Sequence, residues 1–205
     1  MNKETIVIKA EKHIRTIVML HGLGGSGESL VPLVQNYSLS KQNKLVLPTA
    51  PVRRIQGSEG GVMNAWFVVE KVGKPEITPE IKDSAEKICE ILEEEAKTTE
   101  NIVLGGFSQG GIMSLFTGLN YHFKPLKGVF ALSSYSKNFE VKHKEVPLFL
   151  YNGDEDSMID VKLAQETYNS VLAEANKEFY IEKGLSHKIS KQEMDSLKNW
   201  LEKVA

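Results

Sequence analysis

Residues 101–119 read NIVLGGFSQGGIMSLFTGL, and this stretch decides the fold. It opens as a short run rich in Ile, Val and Leu and closes as an apolar helical pattern. Between the two stands Gly106-Phe107-Ser108-Gln109-Gly110, a G-x-S-x-G motif that Gly111 extends. A strand that turns sharply into a helix needs glycines where the two backbones pass, because a Cβ there would clash. The turn lifts the serine hydroxyl above the sheet. It also aims the first helical N–H groups at negative charge developing beside it. The bare motif is weak; the strand before it and the helix after it give it weight.

The rest of the chain repeats this alternation. Short runs rich in Val, Ile and Leu, bounded by Gly or Pro, read as strands at 5–10, 16–22, 44–51, 101–108, 128–134, 146–153 and 177–184. Several are continuously apolar, as strands buried on both faces of a mainly parallel sheet are. Helical patterns lie between them. At 78–97, Thr78 is placed to cap, Pro79 takes the first helical position, and Ile81, Ala85, Ile88 and Leu92 share a face. A helix follows Ser108 over 109–119. At 160–175, Asp160 is the expected cap. At 190–204, Ser190 and Glu193 form an S-x-x-E capping box ahead of the stripe Met194, Leu197, Leu201 and Val204. The expectation is one three-layer α/β domain over 1–205, a mainly parallel sheet flanked by helices. Residues 52–77 break the rhythm. Gly57, Gly60, Gly61, Gly73 and Pro75 surround the apolar patch Val62, Met63, Trp66 and Phe67. Such an excursion reads as a lid or substrate-binding wall lined by those four residues, or as an edge of the core closed by Trp66 and Phe67.

Composition excludes several classes. The 205 residues carry 25 basic and 27 acidic side chains, a net charge of −2, with 41% apolar and 25% charged residues. That balance has no electrostatic footprint for nucleic acid. No apolar run approaches the ~18 residues of a membrane span. The first ten residues lack a signal-peptide pattern, so the expected compartment is the cytosol. A single cysteine, Cys89, rules out an intramolecular disulfide and a Cys-cluster zinc site. It reads as a small packing residue.

A serine nucleophile needs a base and an acid to orient it. On an elbow of this kind both come from later strand-following loops, in the order Ser, acid, His. Of the histidines after Ser108, His122 follows the nucleophile helix and His143 sits in a charged stretch, VKHKE. Only His187 follows the last strand, in GLSHK. Among the aspartates, Asp195 lies in the last helix pattern and Asp160 caps a helix. Asp154 and Asp156 remain, both in NGDEDSM just past a strand, and spacing leaves the choice open; Glu155 is a weaker third. The loop Leu23-Gly24-Gly25-Ser26-Gly27 follows an early strand and offers a second oxyanion donor, so the main-chain N–H groups of Leu23 and Gln109 are the expected pair. Residues 22–27 also match G-x-G-x-x-G. No acid ends the second strand, LPTAP, and no G-K-[ST] follows, so neither nucleotide fingerprint is complete. His21, at the end of a buried strand, reads as a hydrogen-bonded structural residue. None of this chemistry calls for a metal or organic cofactor.

LHGLGGSGES, LPTAP, the AWF around Trp66, GFSQGG, GDEDSM and GLSH occur in one order over 16–203. Together they resemble the acyl-protein thioesterase / carboxylesterase branch of the α/β-hydrolases, also called the phospholipase/carboxylesterase family. The resemblance implies an α/β-hydrolase fold with Ser108 as nucleophile, His187 as base and Asp156, the second Asp of G-D-x-D, as acid. It also implies Leu23 and Gln109 as oxyanion donors. The implied activity is cleavage of carboxylic esters or thioesters through an acyl-enzyme, with an acylated protein or a lysophospholipid as substrate. The chain departs from the family pattern at Gly25, Val68, Asn152 and Ser157-Met158-Ile159. These leave the triad intact and alter the pocket's surroundings. A short-chain carboxylesterase without a protein substrate and a catalytically silent binding protein are the competing readings.

Overall fold

The computed structural model describes residues 5–55, 61–74, 76–122 and 124–204. Gly57, Gly60 and Pro75 of the excursion lie outside the described residues. In chain order the elements are β1 (Ile6–Ile8), β2 (Arg15–Leu20), α1 (Gly27–Asn36), β3 (Asn43–Leu47), β4 (Val52–Arg54), β5 (Val62–Asn64), α2 (Pro79–Ala96), β6 (Ile102–Phe107), α3 (Gln109–Phe116), β7 (Gly128–Leu132), β8 (Leu148–Gly153), α4 (Val161–Val171), β9 (Lys177–Glu182) and α5 (Lys191–Lys203). Each of the seven expected strands is present. They form one sheet in the order β1-β3-β2-β6-β7-β8-β9. Only β1 runs antiparallel to its neighbour.

The strand sequences explain the three layers. Along β2, Val18 and Leu20 face one core, and Ile17 and Met19 face another. Strands β6, β7 and β8 alternate in the same way, so both faces of the sheet are buried. Ile81, Ala85, Ile88 and Leu92 of α2, with residues of α3 and α4, cover the first face. Leu30 and Val34 of α1, with Met194, Leu197, Trp200 and Leu201 of α5, cover the second.

Three features differ from the sequence expectation. Helix α1 was not anticipated, because Gly27 opens it and Pro32 lies inside it, both poor helix signals. It forms because Ser26 and Ser29 make a reciprocal capping box and Leu30 and Val34 supply a buried stripe. The run expected as a strand over 44–51 leaves the sheet after Leu47, and the excursion holds an antiparallel ribbon, β4 with β5. Thr78 stands at the N-cap of α2 without a side-chain capping bond. Asp160 does cap α4, accepting from Lys162 N at 2.8 Å. Cys89 is buried, and burial pushes its thiol up to about 12, which suits packing and not nucleophilic work.

The capping box of α5 forms as expected. Ser190 Oγ accepts from Glu193 N at 2.9 Å, and Glu193 Oε2 accepts from Ser190 N at 3.1 Å. Glu193 is fully buried, and burial, opposed by the Ser190 N–H and assisted by Glu182, pushes its carboxyl up to about 8. An acid held above its ordinary value of about 4.3 binds its proton more tightly in the folded chain than in the unfolded one. Its contribution is therefore full at low pH, declines from about pH 4.5 to about pH 8, and levels off above. Glu193→Gln keeps an acceptor for Ser190 and has no charge to gain. Denaturant midpoints measured from about pH 5 to pH 9 should fall more steeply in wild type than in this variant. Parallel curves would show that Glu193 does not titrate in this window.

Candidate active site

The parallel strands β2, β6, β7, β8 and β9 end at one edge of the sheet, where open α/β sheets hold their ligands. The elbow stands in the middle of this edge. Ser108 has φ 53° and ψ −118°, a backbone conformation costly for any residue with a side chain. Its surroundings hold it there. Ser108 N donates to Leu132 O at 2.8 Å, and Ser134 Oγ donates to Ser108 O at 3.1 Å. Helix α3 crosses so close to β2 that a Cβ on Gly110 would lie 2.2 Å from Leu20 O. The sequence reading of these glycines as sites of backbone passage holds in detail.

Two loops bring the other side chains to Ser108. His187 Nε2 lies 3.0 Å from Ser108 Oγ, and His187 Nδ1 lies 2.7 Å from Asp156 Oδ2. With Nδ1 protonated toward the carboxylate, Nε2 is free to accept the serine hydroxyl's proton. Asp156 has a fully buried side chain, and its other oxygen accepts from Met158 N and Ile159 N, each at 2.8 Å. The Phe107 ring packs 4.9 Å from the imidazole, centroid to centroid. Of the two aspartates that spacing left open, Asp156 is the one facing His187. Asp154 instead accepts from Gly184 N at 2.6 Å. It ties the acid loop to the base loop, where local turn bonds were expected. Glu155 is exposed, and the carboxylate on His187 is that of Asp156.

The glycine loop after β2 reaches the same place. A Cβ on Gly22 would lie 3.4 Å from Ser108 Cβ, so Leu23 follows a residue that abuts the nucleophile. The N–H groups of Gly24 and Gly25 donate to Asn64 O and Gly22 O. Neither the Leu23 N–H nor the Gln109 N–H has a backbone acceptor among the described residues. His21 is 1% exposed, and its Nε2 accepts from Ala50 N at 3.0 Å. That bond puts the proton on Nδ1, 2.7 Å from Gly22 O, so His21 braces the loop.

The side chain of Gln109 is a positioning element that sequence reasoning missed. It is buried, its Oε1 accepts from Trp66 N and its Nε2 donates to Phe67 O, each at 2.8 Å. An amide carries an acceptor oxygen and a donor nitrogen side by side and so answers a peptide N–H and a peptide C=O together, and a glutamine just after Ser108 was the available signal. The four residues expected to line a substrate wall divide. Trp66 and Phe67 are 3% and 1% exposed and belong to the core, with Trp66 Nε1 donating to His21 O at 2.9 Å. Val62 is exposed, and Met63 is half-buried with its sulfur 3.7 Å from a Cβ built on Gly24. Leu23 is exposed in the glycine loop, and Met158 is exposed two residues past Asp156.

A family profile described as phospholipase/carboxylesterase matches residues 1–205. The chain is 32% identical to acyl-protein thioesterase 1 of Emericella nidulans, covering 100% of this chain and 96% of that protein. It is 30% identical to lysophospholipase-like protein 1 of Mus musculus, covering 96% of this chain and 89% of that one. Among solved structures, acyl-protein thioesterase 2 of Zea mays superposes with a TM-score of 0.86 at 25% identity, covering 98% of each chain. SOBER1 of Arabidopsis thaliana gives 0.84 at 29% identity, covering 93% of this chain and 98% of that one.

The geometry makes a prediction that needs no substrate. A fluorophosphonate should label Ser108 covalently, and mass spectrometry of the digest should place the adduct there. Asp156→Asn should slow labelling by about 10²-fold or more, because the imidazole loses its orienting carboxylate. Asp154→Asn should slow it less than about tenfold. Equal slowing by the two, or the reverse order, would refute the division of labour between them.

Proposed function

The chain belongs to the phospholipase/carboxylesterase family and is a hydrolase of carboxylic esters or thioesters, and from that premise we propose that Ser108, His187 and Asp156 are its catalytic triad. The observation that carries this is the continuous relay from Ser108 Oγ through both imidazole nitrogens to a buried carboxylate. His187 takes the hydroxyl proton as Ser108 attacks the carbonyl. The N–H groups of Leu23 and Gln109 receive the oxyanion. Their pointing at one spot beside Ser108 is supported by the placement of Gly22 and by the start of α3 at Gln109. His187 returns the proton to the leaving alcohol, or assists the thiolate. It then activates the water that frees the acid from Ser108. Each oxyanion donor contributes about 10²–10³ in rate in sites of this type.

The substrate class we favour is a long acyl group on a protein thiol or a lysophospholipid. It is supported by what the relatives are named for and by the apolar side chains of Leu23, Val62, Met63 and Met158. Each methylene buried against such a surface is worth about 0.8 kcal/mol. The excursion over 52–77 belongs in this reading through Val62 and Met63, as a flank of one hydrolase domain. A cytosolic setting goes with the reading and rests on the sequence. Among the described residues no helix is long and apolar enough to cross a membrane.

A chain-length series tests this. Hydrolysis of p-nitrophenyl esters and acyl thioesters from acetyl to palmitoyl would be compared for wild type and Ser108→Ala. Turnover that depends on Ser108 and strengthens toward long thioesters is expected. Ser108-dependent turnover confined to short esters would replace the acyl-protein reading with a general carboxylesterase. Turnover that survives Ser108→Ala would remove the triad assignment.

A further inference from the structure

The second half of the excursion borders a cavity of about 180 Å³ whose lining includes Phe67, Glu70, Lys71, Lys74, Glu76 and Lys137. Lys137 is unusual for a lysine. It is 4% exposed, yet no carboxylate oxygen lies within ion-pair distance of it among the described residues. Its Nζ donates to Lys74 O and sits 5.3 Å from the centroid of the Phe67 ring. An ammonium carries three donors, and among the described residues it meets one carbonyl and one ring face. Buried charges in folded proteins are paired or bind something. Burial lowers the Lys137 pKa, while Glu76 and Glu70 favour its charged form.

Two hydrogen-bonded links run between the elbow and the chain segments that wall the cavity. The Phe67 carbonyl is held by the Gln109 side chain, one residue past the nucleophile. Ser134, three residues before Lys137, is hydrogen-bonded to Ser108 O. At 3.8 Å per residue, the Cα of Lys137 is within about 11 Å of that of Ser134. The leaving group departs on the His187 side, against Phe107, whereas the cavity lies on the side of Phe67 and Gln109. The acyl portion of a substrate, which extends from Ser108 away from His187, is therefore the part that lies on the cavity's side.

We propose that this cavity is a subsite for a carboxylate at the far end of the acyl group, held by Lys137, so that half-esters or half-thioesters of dicarboxylic acids are substrates of this enzyme. The chemistry favours one negative charge. Lys71, Lys74 and Lys137 line the cavity with Glu70 and Glu76, Lys74 is ion-paired with Glu70, and the small positive balance that remains disfavours a dianion such as phosphate. The inference rests on the hydrolase reading of Ser108, and its test separates the two.

Mono-p-nitrophenyl esters of dicarboxylic acids, from succinyl to suberyl, would be compared with methyl-capped esters of equal length. The quantity read is the ratio of kcat/KM for the charged over the capped ester, within each protein. Wild type is expected to favour the charged ester about tenfold or more at one or two lengths. Lys137→Met should bring that ratio near one, mainly through KM, and Lys137→Arg should keep part of it. A variant that folds poorly lowers both rates together and leaves the ratio intact. Ser108-dependent turnover with no charged-ester preference at any length would overturn the subsite alone. A preference that survives Lys137→Met would do the same. If no ester is turned over through Ser108, the hydrolase reading fails. Calorimetry with free glutarate on wild type and Lys137→Met then decides the subsite by itself, and equal binding or none refutes it. Inhibition by acetate or phosphate that is independent of the ester's charge would indicate a free-anion site and not a substrate subsite.

Discussion

The site depends on one costly backbone conformation. Ser108 sits at positive φ without being glycine, which places its hydroxyl at the open edge of the sheet while β6 turns into α3. Nothing local favours that state. It persists because Leu132 O takes the serine N–H, because Ser134 holds the serine carbonyl, and because α3 is pressed against Leu20 where only glycine fits. The restraints come from the end of β7 on one side and from β2 on the other, so the elbow is held only in the context of a formed sheet. Sequence spells the motif, but tertiary packing maintains it.

Beneath this lies a second restraint that works through peptide groups. The Gln109 amide replaces a strand neighbour for the backbone at Trp66 and Phe67, matching one N–H and one C=O. A loop that enters the core would otherwise leave those groups unpaired, at a cost of roughly 1–3 kcal/mol each. Gln109, the residue that follows the elbow serine, thus also fixes the inner end of the excursion. Displacement of one would be felt by the other.

What the sequence makes legible follows from how local the signals are. The continuous apolar runs of β2, β6, β7 and β8, the stripe of α2 and the capping box of α5 are written in neighbouring residues, and all are present. His187 could be found by elimination because a base must follow the last strand. Asp156 could not be separated from Asp154 by spacing, since both lie in one loop. Their difference is long-range: one carboxylate meets an imidazole 31 residues on, the other a glycine N–H 30 residues on. Helix α1 was hidden because packing of Leu30 and Val34 outweighs the poor propensity of Gly27 and Pro32. Trp66 and Phe67 look like a wall in the sequence because aromatic residues serve a groove and a core equally well. Lys137 could not be flagged at all, since lysines are ordinarily exposed and nothing nearby in the chain reports burial.

The position of β9 has a consequence for how this molecule fails. As the last strand of the sheet it is held by β8 alone on one side. The loop carrying His187 leaves from its end, fastened to the acid loop by Gly184 N to Asp154 and Glu155 N to Leu185 O. Ser108, by contrast, leaves β6, which has strand neighbours on both sides. Edge elements open at lower free energy than central ones. His187 and Ser108 therefore belong to units of different local stability, and warming should detach the imidazole while the serine and the central sheet are still in place. Inactivation is then a reversible fraying of one margin, distinct from melting, and the amides of β9 should exchange with solvent hydrogen sooner than those of β6.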